Sequence, residues 1–178
     1  NLIVTGDGFK KELPVLLKLM GFVFGDGVIS FTGQKGAVQF YAKEEDLLEI
    51  KKDLEKIGLK SNNIFRRKRQ HHISTVYGIS EFSFIETSIT KKSTAFAALL
   101  IALGCPYGSK AHQEYRVPRW IMKSVLWQKR LFLAAFFGAE LSSPKTMNKY
   151  NFYEHQLNMN KLETLKENAI DFLNDIRL

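Results

Sequence analysis

Two acids invite a chemical reading because of what precedes them. Asp26 ends the stretch Leu19-Met20-Gly21-Phe22-Val23-Phe24-Gly25-Asp26-Gly27, and Glu140 ends Leu133-Ala134-Ala135-Phe136-Phe137-Gly138-Ala139-Glu140-Leu141. Laid over one another without a gap, the stretches match Phe22 with Phe136, Gly21 and Gly25 with Ala135 and Ala139, and Asp26 with Glu140. Residues four apart share a helix face, and small side chains on that face let two helix backbones approach closely. Two such helices, packed on their small faces, would bring the acids side by side. A carboxylate at a helix C-terminus sits at the negative end of the dipole, and two neighbouring carboxylates repel. A bound cation relieves both. The plain alternative is a pair of core helices whose acids point separately into water; the repeated spacing, with an acid in the same register, weighs against it.

The doubled stretch resembles the paired signature of the LAGLIDADG homing endonucleases, the DNA-cutting enzymes carried by inteins and mobile introns. The first copy has Gly21, Gly25, Asp26 and Gly27 where the pattern has them. The second departs from it: Leu141 replaces the closing glycine, Gly138 is displaced by one from the small-residue face, and Glu140 stands for aspartate, a swap the family tolerates. The resemblance implies a helix interface of Gly21 and Gly25 with Ala135 and Ala139. It implies that Asp26 and Glu140 hold catalytic magnesium or manganese, assisted by the backbone carbonyls of Gly25 and Ala139, and that the substrate is double-stranded DNA. Two divalent ions about 3.5–4 Å apart activate a water, steady the charge growing on phosphoryl oxygens and help the departing alkoxide. Magnesium prefers oxygen ligands and keeps several waters, so a carboxylate from each half plus backbone carbonyls suffices. Family members also place a lysine or glutamine near the site, for which Lys43, Gln39 and Lys149 are the candidates.

The elements that would carry these residues follow in chain order. A helix is expected from about Leu13 to Gly25, with Pro14 in its first turn and Gly27 ending it in the left-handed conformation. Val28–Phe31 and Ala37–Tyr41 read as a hairpin, and residues 44–57 as an amphipathic helix with Leu47, Leu48, Ile50, Leu54 and Ile57 along one stripe. A second hairpin is expected to bear Arg66, Arg67, Lys68 and Arg69 at its tip. Four adjacent cations repel one another, and phosphate contacts relieve that; a merely solvated loop is the plain alternative. Lys91 to Gly104 reads as a packed helix, Pro118 starts a short helix through Leu126, and Trp127 to Ala139 carries the second signature. Strand-like residues from Asn148 to Met159 and a helix from Lys161 to Leu178 complete the pattern. The expected fold is therefore α+β, with two pseudo-symmetric αββαββα-like halves around the paired helices and the second half truncated. Residues 1–110 and 129–178 are the halves, 111–128 the linker, and the protein a monomer.

Composition narrows the partners. A net charge of +8 calls for a polyanion, and 45% hydrophobic residues with 12% aromatics fit a folded chain rather than a basic tail. The single Cys105 excludes a disulfide framework or a cysteine-rich zinc site, which matches a reducing cytoplasm. No apolar run reaches membrane-spanning length. The chain opens on Asn1 rather than Met, which reads as a piece of a longer protein. The four histidines lack metal-ligand spacing and are read as phosphate contacts or plain surface. The chief alternative is a nucleic-acid-binding module of the same fold that has lost cleavage: a degenerate homing protein, an RNA maturase or a regulator. A two-carboxylate sugar hydrolase is disfavoured by the net charge, and a membrane-surface protein by the position of the basic run between strands.

Overall fold

The computed structural model describes residues 8–60, 63–75, 78–141, 145–157, 159 and 161–177. The elements are α1 (Gly8–Phe24), β1 (Gly27–Thr32), β2 (Lys35–Tyr41), α2 (Glu44–Lys56), β3 (Phe65–Thr75), β4 (Gly78–Lys92), α3 (Thr94–Ala102), α4 (Arg119–Met122), α5 (Leu126–Glu140) and α6 (Lys166–Asp175). Single 3-10 turns lie at Lys110–His112 and Glu163–Leu165. The strands form one antiparallel sheet in the order β1-β2-β4-β3. The fold is mixed α+β. A pair of matched halves is not seen: beyond α5 the described strand-like pairings are the isolated bridges Leu141 to Leu157 and Thr146 to Phe152.

α1 is buried nearly all round, which is why its sequence is apolar without a clean stripe: Leu13, Leu16, Leu17, Met20, Val23 and Phe24 all lie in the core. It begins at Gly8 rather than Leu13, so Pro14 lies inside the helix and not in its first turn. Lys10, Lys11 and Glu12 are good helix formers and carry the helix back past the proline. The inner face of the sheet sets Ile29, Val38, Phe40 and Ile89 against the helices. Gly33 takes the left-handed conformation that the β1–β2 turn needs.

On α2, Leu47, Ile50 and Leu54 are buried but Leu48 is 45% exposed, one position off the true stripe. Asp53, also on α2, is buried and held by Lys18 of α1 and Lys56. Ser93 accepts a hydrogen bond from the Phe96 backbone N–H and so starts α3; Lys91 and Lys92, expected to be helical, instead continue β4. The expected short helix from Pro118 is the single turn of α4, and the expected C-terminal helix is confined to α6 with the 3-10 turn before it.

The chain between α3 and α5 is tied down at several points. The Arg116 guanidinium donates to both carboxyl oxygens of Asp175 at 2.7 Å and to Asp171 at 2.7 Å, and the Val117 N–H also donates to Asp175. Phe24, at the end of α1, joins the three helices: its ring meets Phe132 edge-on at 5.3 Å and stacks on Phe172 of α6 at 6.1 Å. Phe136 also meets Phe172, at 5.5 Å. Among the described residues no helix is long and apolar enough to cross a membrane.

Candidate active site at the end of a helix pair

α1 and α5 lie backbone against backbone. A Cβ built on Gly21 would overlap the Phe132 carbonyl oxygen and come within 3.0 Å of the Ala135 Cβ; one on Gly25 would lie 2.6 Å from the Ala139 Cβ and 3.1 Å from Glu140 Cγ. The four small residues meet across this pair. Gly138 faces away, and a methyl group added there would meet nothing within 4 Å, so its displacement in the second signature has no effect on the contact. Gly27 does not take the expected left-handed conformation. It is the first residue of β1, and glycine is needed there because a Cβ would lie 2.6 Å from the Val23 Cα, where the chain folds back under the helix end.

Asp26 lies in the turn after α1 and Glu140 is the last residue of α5, and both line one cavity of about 1000 Å³. Gly25, Tyr41, Arg69, Glu86, Lys110 and Tyr115 share its wall. Burial pushes the Asp26 carboxyl above its ordinary value, partly offset by the Lys110 ammonium. Asp26 is nonetheless open to water on the cavity side, and the two facts agree if protein packed around the other sides strips part of its hydration. Burial also raises Glu140, the charge of Asp26 raises it further, and Lys110 acts the other way. Desolvation, with the charge of Asp26 added at Glu140, thus outweighs the pull of Lys110. Tyr115 is pushed up to about 12 by burial and by the charge of Glu140.

No local sequence pattern singles out Lys110. Its ammonium donates to the backbone carbonyls of Val23 at 3.2 Å and Phe24 at 3.1 Å, so it caps α1 where the helix leaves its last carbonyls unpaired. Burial lowers its pKa, against Glu140 and Asp26, which raise it. The available sequence signal was the unpaired helix end beside two acids, which calls for a donor without saying from where.

The other selected residues are scattered. Gln39 donates to the Ser88 hydroxyl at 3.4 Å, Lys43 is an exposed residue at the rim of the cavity, and Lys149 is exposed with its ammonium 5.5 Å from the Tyr150 ring. The basic run is not at a hairpin tip. Arg66 to Arg69 open β3, and strand alternation divides them between two faces. Arg66 points to the helix side and is paired with Glu44 of α2 at 2.5 Å, and Lys68 shares that side. Arg67 and Arg69 face the open side, with Glu86 directly opposite Arg67. His112 and His155 are exposed, and the side chains of His71 and His72 lie outside the described residues. Among the described residues no three His, Cys, Asp or Glu side chains gather around a point. Asp26 and Glu140, with the backbone carbonyls near them, offer oxygen donors that fit a hard, partly hydrated divalent ion and not zinc.

The homing endonuclease I-WcaI, solved bound to its DNA recognition sequence, aligns over 97% of this chain and 76% of its own, with a TM-score of 0.50 and 14% identity. The fold is that of a homing endonuclease. No family model matches the chain. Curated relatives include a tRNA-splicing ligase RtcB of Methanocaldococcus jannaschii, 42% identical over 94% of this chain, and one of Pyrococcus furiosus, 38% identical over 93%. The same stretch matches the replication factor C small subunit and the RNA polymerase subunit Rpo1N of M. jannaschii, at 30% and 32% identity over 94% of this chain. The chain spans under a fifth of these relatives: 18% and 17% of the two ligases, 9% of the replication factor subunit and 12% of the polymerase subunit.

Proposed function

We propose that the chain is the cleaving part of an intein- or intron-borne homing endonuclease, which hydrolyses double-stranded DNA at a defined site with Asp26 and Glu140 as its metal-holding acids. The observation that carries the reading is the convergence of Asp26, Glu140 and Lys110 on one cavity, at the foot of a helix pair closed on Gly21 and Gly25. In this reading residues 1–110 and 129–178 act as two halves joined by 111–128 within a monomer.

The relatives support it from a different direction. Proteins named as an RNA ligase, a replication factor subunit and a polymerase subunit share this one stretch, at 9 to 18% of their lengths. Their substrates differ, so the stretch answers to something inserted into all of them rather than to any host's work. An element that copies itself between genes needs a DNA cut at the vacant site, and a homing-endonuclease fold in a chain of net charge +8 is suited to make it.

Magnesium, or manganese, held at this donor set would activate a water and neutralise charge on the phosphoryl oxygens. Asp26 and Glu140 offer the carboxylate oxygens, and the carbonyls of Gly25 and Ala139, at the two helix ends, offer further ones. Burial raises both acids, and the charge of Asp26 raises Glu140 further; a cation between them would offset both effects. Lys110 is a positioning residue: it fixes the end of α1, and so the turn that bears Asp26, while adding positive potential at the cavity wall. Arg67 contacts a phosphate from the open face of β3. In the reaction the water oxygen bonds to phosphorus, the bond from phosphorus to a deoxyribose oxygen breaks, and the water's proton passes to solvent as the leaving oxygen takes one up.

A binding module without cleavage is the second reading, favoured by the isolated bridges that are the described residues' strand-like pairings beyond α5. A nicking assay separates the two. Supercoiled DNA carrying an uninterrupted host-gene site should be nicked with magnesium, and not with chelator or by Asp26→Asn. Tight, site-selective binding without magnesium-dependent nicking would establish the second reading instead.

A further inference from the structure

A carboxylate that faces a polyanion needs a reason. Glu86 lies on the open side of β4, directly across from Arg67, on the face shared with Tyr41 and Gln39. The charges of Glu86, Arg69 and Arg67 all act on the Tyr41 hydroxyl, so the four side chains form one cluster. Glu86 lines the cavity together with Asp26 and Glu140, and its carboxylate is 2.9 Å from Arg69 Nε, with side-chain exposures of 19% and 40% for Glu86 and Arg69. An ion pair at that spacing would ordinarily count as a hydrogen bond. This one is misaligned: Arg69 Nε is buried and has no hydrogen-bond partner among the described residues. Charge rather than a well-aligned bond holds the two groups together, so the pairing leaves Arg69 Nε with a hydrogen still to donate.

A two-stranded ribbon fits the major groove, where each base pair presents its own order of donors and acceptors. A side-by-side acceptor and two-pronged donor matches one pair best. Cytosine offers the N4 amino donor to a carboxylate, and the neighbouring guanine offers O6 and N7 to an arginine fork. An A·T pair supplies an amino donor too, but its acceptors are divided between two bases and cannot take the fork. Base contact also removes the electrostatic objection, since the carboxylate then faces an amino group rather than a phosphate.

We infer that Glu86 and Arg69 together read one C·G pair of the DNA target, with Glu86 on cytosine and Arg69 on guanine. This deepens the endonuclease reading and rests on it. The test selects bound duplexes from a library with randomised positions, using the whole chain in calcium. The wild type should enrich one position for C·G by about tenfold or more over other pairs, in line with a good bidentate contact. Glu86→Gln should lose that preference and lean towards A·T, because an amide pairs with adenine. The exchange Glu86→Arg with Arg69→Glu keeps the pair and its charge, and should turn the preference to G·C at the same position. Selective binding with an unchanged preference in both variants would overturn the inference alone. Absence of any selective duplex binding by the wild type would overturn the endonuclease reading with it.

Discussion

Gly25 and Ala139 touch so closely that a methyl group on the glycine would lie 2.6 Å from the alanine's own. A leucine at Gly21 or Gly25 therefore has to push α5 away. Overpacking of this kind costs about 1–3 kcal/mol. Gly21→Leu is expected to lower stability by that amount in urea unfolding and to abolish metal binding by calorimetry. A stable Gly21→Leu protein with normal metal and DNA binding would reduce α1 to an ordinary core helix.

Gly138, on the outer side of the same helix pair, should behave in the opposite way. A methyl there meets nothing within 4 Å, and its φ is not left-handed. Gly138→Ala is expected to stabilise by about 0.4–1 kcal/mol, because the unfolded chain loses freedom and the helix gains a better former. Equal or lower stability would mean that the helix end is held differently.

Asp26 and Glu140 are both pushed up by burial, so the folded state keeps their protons to higher pH than the unfolded chain. Without metal, stability should fall as pH rises from the ordinary carboxylate range, about 4, through the raised values, and then level off. Asp26→Asn with Glu140→Gln removes that loss. The double variant should melt about 2–4 °C higher than wild type at pH 7 in chelator for each kcal/mol regained, and the curves should converge near the acid end. Excess magnesium should raise the wild-type melting temperature and leave the double variant unmoved.

Lys110→Met deletes two hydrogen bonds to the end of α1, at an expected cost of about 1–3 kcal/mol. It also removes the cation that lowers both acids. The pH profile of nicking should then move to the alkaline side, and Lys110→Arg should bring it part of the way back. A loss of stability with an unmoved pH profile would make Lys110 a cap and nothing more.

Salt dependence should divide the basic run. Each phosphate contact contributes a slope of about −0.9 in log affinity against log salt. Arg67→Ser should reduce the slope by about that much, whereas Arg66→Ser, whose charge is spent on Glu44, should change it far less. Equal effects would place both side chains on the DNA side.

Much of the first 100 residues was legible, because strands alternate and helices end at glycines: Gly58 and Gly104 are both left-handed, as a helix end requires. The close packing of α1 on α5 was legible through the repeat of small residues before each acid. Lys110 was not, since it reaches α1 from 86 positions further along and no local pattern marks it. Nor was the division of Arg66 to Arg69, which depends on the register of β3 against β4. Residues 148–159 looked strand-like from composition. Yet a strand needs a neighbour to pair with, and the described residues offer only single bridges.

The contact at Gly21 is made with the Phe132 carbonyl, an atom that every residue type possesses, whereas the contact at Gly25 is made with a side chain. No substitution on α5 can make room for a larger residue at position 21. α5 itself need only stay small at 135 and 139. A larger residue at 25 could be matched by a smaller one at 139, whereas no such exchange exists for position 21. Two glycines of one motif are thus required for different reasons, one by a backbone and the other by a neighbour's size.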